Sequence, residues 1–134
     1  MKYLLVLIII AGSIGCSPKL SPDAGWGRQR WVVVEMKGVP VQQSGSRRDA
    51  SLNFETAEKR FTGNGGCNQI NGSYTIEKND IHFSDVISTK MSCSDIEFEN
   101  TFLSLLGNVD RYEVNGNDLL LKRKRETLLV LRAK

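Results

Sequence analysis

Residues able to do chemistry beyond packing are few in this chain of 134: three cysteines, Cys16, Cys67 and Cys93, and a single histidine, His82. Thiolates and imidazole bind metals, but Cys67, Cys93 and His82 are too few for a closed structural zinc site, which leaves only an open three-ligand arrangement formally available. His82 lies between Ile81 and Phe83 on an alternating stretch, so its ring should point away from theirs, toward solvent. Glu97 and Glu99 stand two apart in a predicted helix, diverge, and make no acid–base pair. No G-x-S-x-G, H-E-x-x-H, Walker lysine or C-x-x-C pattern occurs. These observations predict no catalytic residue, no metal site and no cofactor.

Two further stretches have a functional and a plain reading. Gly63-Asn64-Gly65-Gly66-Cys67-Asn68 has the composition of a phosphate nest. A phosphate loop, however, feeds a helix whose N-terminus holds the anion, and this one feeds a strand. A tight bend where backbones approach closely is the better reading. Lys122-Arg123-Lys124-Arg125 lies between apolar strands and reads as a solvated hairpin tip, with contact to anionic lipid headgroups as the functional alternative.

The first cysteine belongs to an export signal. Lys2 is a basic start, Leu4 to Ala11 is an apolar run, and Gly12, Ser13 and Gly15 form a small-residue zone before Cys16. The run is shorter than the roughly 20 residues of a membrane span. Ser13-Ile14-Gly15-Cys16 resembles the bacterial lipobox, with Ser13 where Leu or Val is preferred; Cys16 would then become the acylated first residue. Several acyl chains, palmitate among them, at about 0.8 kcal/mol per buried methylene would make a stable anchor. Ser17, where Asp would favour inner-membrane retention, leans toward the outer membrane, with the domain in the periplasm. Residues 1–15 are thus expected as signal peptide and 16–30 as lipidated terminus and tether, loosened by Pro18 and Pro22. Trp26 is a candidate start of packing, and the domain proper is placed at 31–134.

Cleavage before Cys16 leaves 119 residues, enough for one domain, and lowers the formal charge from +3 to +2. That balance excludes a strongly basic nucleic-acid binder, and a monomer is expected. Short strands punctuated by turns follow: Trp31 to Met36, Ser51 to Glu55, Ser73 to Glu77, Ile81 to Phe83 beyond a Lys78-Asn79-Asp80 turn, Arg111 to Val114 and Leu119 to Lys122 around Asn115-Gly116, and Thr127 to Arg132. One helix stands out. Ser94 is its candidate N-cap with Glu97 completing a capping box, Cys93 is placed to pack on Phe98, and Gly107 is a stop. Phe98, Phe102, Leu105 and Leu106 share one face. The fold expected is mainly β, a small α+β domain: an antiparallel, β-barrel-like curled sheet packed with one amphipathic helix.

With Cys16 acylated, Cys67 and Cys93 remain as an even pair, 26 positions apart. A disulfide between them would stabilise by roughly 3–4 kcal/mol; two separate buried thiols are the alternative.

Gly66-Cys67-Asn68, then Gly72-x-Tyr74, then Thr89-x-Met91-x-Cys93, Glu99-x-x-Phe102 and Leu119-x-Leu121 follow in an order that resembles the META domain, the family of the bacterial heat-shock protein HslJ. The resemblance runs from Trp31 to about Leu131. It implies a compact β-barrel-like fold with one helix, an envelope or periplasmic setting, and associations with heat shock, antibiotic tolerance and motility or virulence. It implies no catalytic activity. The leading expectation is therefore a non-enzymatic envelope lipoprotein working through protein contacts in stress tolerance or outer-membrane assembly. The alternative is a small barrel carrying an apolar or lipid-like ligand among Phe54, Tyr74, Ile76 and Phe83. An enzyme is third.

Overall fold

The computed structural model describes residues 22–134; the signal segment, Cys16 and Ser17 lie outside the described residues. Nine strands follow a short 3-10 helix at Trp26–Arg28: β1 Trp31–Met36, β2 Val39–Pro40, β3 Ser51–Glu55, β4 Arg60–Asn64, β5 Gln69–Glu77, β6 Asp80–Ser88, β7 Arg111–Asn115, β8 Asp118–Arg123 and β9 Glu126–Ala133. The helix α1, Ile96–Gly107, connects β6 to β7. Neighbours pair antiparallel in the order β2-β1-β3-β4-β5-β6-β7-β8-β9, and β1 also pairs with β9, so the curled sheet closes on itself. The expected mainly β fold with one packed helix is what the chain forms.

Alternation explains the closure. Leu52 and Phe54 of β3, Ile70 and Tyr74 of β5, Ile81 and Phe83 of β6, and Leu119 and Leu121 of β8 all turn inward and are buried. The seam between β6 and β7 is thin, a single pair of Asp80 with Arg111. α1 bridges that seam in the chain and places Phe102 and Leu106 in the common core. Curl comes partly from a bulge between β5 and β6, where register shifts between Asn71 and Ser73 opposite Asp85, whose φ is 52°. Gly72 sits at that bulge because a Cβ there would stand 2.8 Å from the Phe61 ring and 2.9 Å from the Ser84 carbonyl oxygen.

Three local expectations change. The segment read as tether through Arg30 is packed from Asp23 onward: Asp23 and Trp26 are buried, and the Trp31 indole donates to the Trp26 carbonyl at 3.1 Å. Apolar burial of Trp26 against Phe54 and Tyr112 outweighs the flexible composition around it. Secondly, the N-cap of α1 is Asp95, not Ser94, and no side chain caps it, so the capping box does not form. Thirdly, Cys93 does not staple Phe98, because its sulfur is bonded to Cys67 and Phe98 lies against Gly66 instead. Two strands, β2 and β4, had no expectation; Gly63 in Arg60–Asn64 broke the alternation that would have announced β4.

Candidate functional site

Part of the motif converges at the end of the barrel formed by the β4–β5 loop and the β6–α1 connection. A disulfide joins Cys67 to Cys93, with Cα atoms 6.1 Å apart. Asn68, buried between them, bonds in both directions. Its side-chain Oδ1 accepts from the Met91 backbone N–H at 2.7 Å and from the Thr89 hydroxyl at 3.1 Å. Its Nδ2 donates to Glu99 Oε1 at 2.8 Å. Thr89 closes the ladder: its backbone N–H donates to the Gln69 carbonyl at 3.0 Å, and its Oγ1 accepts from the Gln69 N–H at 3.2 Å.

Glu99 is the residue whose role sequence reasoning missed; it does diverge from the exposed Glu97, as expected. It projects from the first turns of α1 into the bend and is buried. Oε2 accepts the backbone N–H groups of Asn68 at 2.6 Å and Cys67 at 3.3 Å, and the Ser88 hydroxyl lies 3.4 Å from Oε1. Burial pushes the carboxyl pKa up, but these donors outweigh burial and hold it below its ordinary value. No ion pair reaches it among the described residues. The glycine-rich stretch is thus a bend, as expected, and its amides do cradle an anion, which is this protein's own carboxylate. The glycines make room for it. A Cβ on Gly65 would stand 2.5 Å from Glu99 Oε2, and Gly66, at φ 106°, would place one 2.8 Å from the Phe98 ring. A signal was available, since Glu99 lies three and seven positions before the buried Phe102 and Leu106, on the same helical stripe.

The remaining motif residues do not join this cluster. Gly72 is at the β5–β6 bulge, and Tyr74 points into the core toward the opposite end, where its hydroxyl donates to Asp23 at 2.5 Å. Lys59 donates to both Asp23 oxygens, at 2.8 and 2.7 Å. Burial, then the Asp23 carboxylate, push the Tyr74 phenol upward. Met91 contributes only its backbone; its side chain is 58% exposed. His82 is exposed, as the alternation requires. The tip that holds Lys124 and Arg125 is solvated, with the Lys124 N–H donating to Asp110 Oδ1 at 2.8 Å. Among the described residues no group of three His, Cys, Asp or Glu is arranged to hold a metal, and no helix is long and apolar enough to cross a membrane.

The barrel interior is filled. The Phe54 ring lies 5.2 Å from Tyr74 and 5.1 Å from Trp26, and Phe61 lies 5.5 Å from Phe83. The residues expected to line an internal ligand cavity therefore pack on one another, with Trp26 from the N-terminal segment completing the stack. Open space lies outside, in a cleft of about 610 Å³ between α1 and the stretch from β1 to Ala50. Its walls include Val33, Met36, Val41, Ala50, Phe98 and Leu105.

The family model of the META domain matches residues 25–134. Comparison with the curated proteins finds no match. Solved structures share the fold, three of them as follows. One protein solved by NMR is 20% identical with a TM-score of 0.65, covering 85% of this chain and 95% of that one. A protein from Burkholderia xenovorans, also solved by NMR, is 19% identical with a TM-score of 0.64, covering 96% of this chain and 99% of its own. A crystal structure of a DUF4847 family protein from Bacteroides vulgatus is 18% identical with a TM-score of 0.59, covering 83% and 95%. At these identities the likeness is one of fold.

Proposed function

The chain belongs to the META domain family, and from that membership we propose that it is a non-enzymatic envelope lipoprotein, anchored through Cys16 and acting by protein contacts in envelope stress tolerance or outer-membrane assembly. The observation that carries this reading is how the family signature is used. Cys67, Asn68, Thr89, Cys93 and Glu99 direct their polar groups at one another, in bonds that frame the barrel's end and hold no group poised for reaction. A disulfide inside the signature suits an oxidising compartment, and a signal peptide over residues 1–15 would supply the route to one.

Metabolic labelling with radioactive palmitate, followed by membrane fractionation, tests the anchor. Label should enter the full chain, vanish in Cys16→Ala, and travel with outer-membrane fractions. An unlabelled wild-type chain recovered in the soluble periplasmic fraction would overturn the lipoprotein reading. Crosslinking in intact envelopes then tests protein contacts, for which a reproducible adduct of defined mass is the expected result. A second reading, a carrier of an apolar ligand, is favoured by the cleft beside α1 and not by the filled interior.

A further inference from the structure

We propose that the cleft beside α1 binds a single-chain anionic amphiphile, a fatty acid, with its tail along the apolar floor and its carboxylate at Arg48; this rests on the carrier reading. Volume and lining come first. At about 610 Å³ the cleft falls within the roughly 300–1,000 Å³ of ordinary ligand sites, and its floor of Val33, Val41 and Ala50 is continuous with the core. Phe98 and Leu105 of α1 form the facing wall.

The outer wall is stiffened where loops are usually loose. Asp49 Oδ1 accepts the Ser44 N–H at 2.8 Å and the Ser44 hydroxyl at 2.7 Å, while Oδ2 accepts the Gly45 N–H at 2.8 Å. Arg30 clasps the same loop from beneath, donating to the Asp49 carbonyl at 2.9 Å and to Ser51 Oγ at 3.1 Å. A wall held this way loses little freedom when a ligand arrives.

Charge selects the head group. Four charged residues border the cleft: Lys37, Arg48, Asp49 and Asp95. The Asp49 carboxylate is engaged within its loop, and Asp95 stands at the N-terminus of α1, where the helix dipole offsets it. Lys37 is 3.7 Å from Glu126, both exposed. Arg48 is exposed and makes no ion pair among the described residues. Arg48 is thus the lining cation with no carboxylate partner among the described residues, and an acid head complements it.

Residues 22–134 hold the whole barrel, and solved chains of this fold match over 95–99% of their own length, so the domain can be tested without its anchor. Fluorescent cis-parinaric acid is titrated into the oxidised domain, then displaced by palmitate or by neutral hexadecanol. Saturable one-to-one binding is expected. Thr101→Trp, an exposed position on the cleft wall, should weaken both competitors by about tenfold by filling the space. Arg48→Glu should weaken palmitate by about fivefold and leave hexadecanol unchanged. Absence of saturable binding, or binding indifferent to Thr101→Trp, overturns the site and the carrier reading together. Binding lost in Thr101→Trp but equally strong for palmitate and hexadecanol in both wild type and Arg48→Glu leaves a carrier and overturns the acid head group.

Discussion

Two carboxylates are buried in this barrel, one at each end, and they are neutralised by different means. Glu99 is held by neutral donors: two backbone N–H groups, the Asn68 amide and the Ser88 hydroxyl. Asp23, at the end where the β3–β4 turn lies, is held by the Tyr74 hydroxyl and by the Lys59 ammonium, whose side chain remains 36% exposed. Fixed dipoles must be built by the fold before the charge can enter, so the Glu99 end depends on the β4–β5 bend, the disulfide and α1 arriving together. A lysine on a flexible stem can follow its partner or return to water. The Glu99 end is therefore a cooperative unit, whereas the Asp23 end is a latch that closes the N-terminal segment onto a finished barrel.

Removing the cross-link should break the contrast most severely. The double variant Cys67→Ala/Cys93→Ala is expected to lose about 3–4 kcal/mol of unfolding free energy, the chain-entropy value for a loop of this length. Hydrogen exchange locates the loss: amides at 65–68 and 89–95 should exchange faster well before those flanking Tyr74. Equal acceleration at both ends would remove the distinction between unit and latch. Asn68→Ala comes next, at about 2–3 kcal/mol in denaturant unfolding, because it strips one donor from a buried carboxylate and orphans the Met91 N–H. Tyr74→Phe should cost less, about 1–2 kcal/mol, since Asp23 keeps Lys59. Proteolysis should sharpen that result, with cleavage before Trp26 rising in Tyr74→Phe but not in Asn68→Ala.

The sequence announced the two ends unequally. Alternation exposed β3 and the inward faces of β5 and β6, because a half-buried strand must repeat every two residues, while a β-branched apolar run announced β1 and the Asn115-Gly116 turn announced β7 and β8. The signature around Cys67 and Cys93 marked where the loops meet, and the helix face marked what α1 buries. Glu99 was rightly separated from Glu97, but its own role went unseen, although its spacing from Phe102 and Leu106 places it inward. Asp23 left no local signal: its partners lie 36 and 51 positions away, among prolines and glycines whose composition predicts a tether. The cleft is also nonlocal, formed where α1 faces a loop stiffened by Arg30 and Asp49. Cysteine parity anticipated the bond between Cys67 and Cys93, but no counting rule could have said that it braces a carboxylate.

Acid should separate the two ends by the smallest margin and the clearest sign. Burial raises the Glu99 pKa, the bonds from Asn68, Cys67 and Ser88 together lower it by more, and the net position is below the ordinary 4.5. A carboxyl whose folded value is depressed contributes stability that is fully present above its unfolded value and is lost as pH falls through the folded one. Unfolding free energy should therefore be level from neutrality to about pH 5 in this respect and decline below about 4.5. The decline should be gentler than the effect of Asn68→Ala, because a protonated Glu99 keeps its shape and its Oε1 can still accept from the Asn68 amide. Glu99→Gln supplies the control. It replaces the titrating group with a neutral one of similar size, so it should be less stable than wild type at pH 7 and the gap should narrow toward pH 3. A gap that stays constant from pH 7 to pH 3 in parallel urea titrations would mean that Glu99 titrates alike in the folded and unfolded chain, and that the amide cradle is not what distinguishes this end from the Asp23 latch.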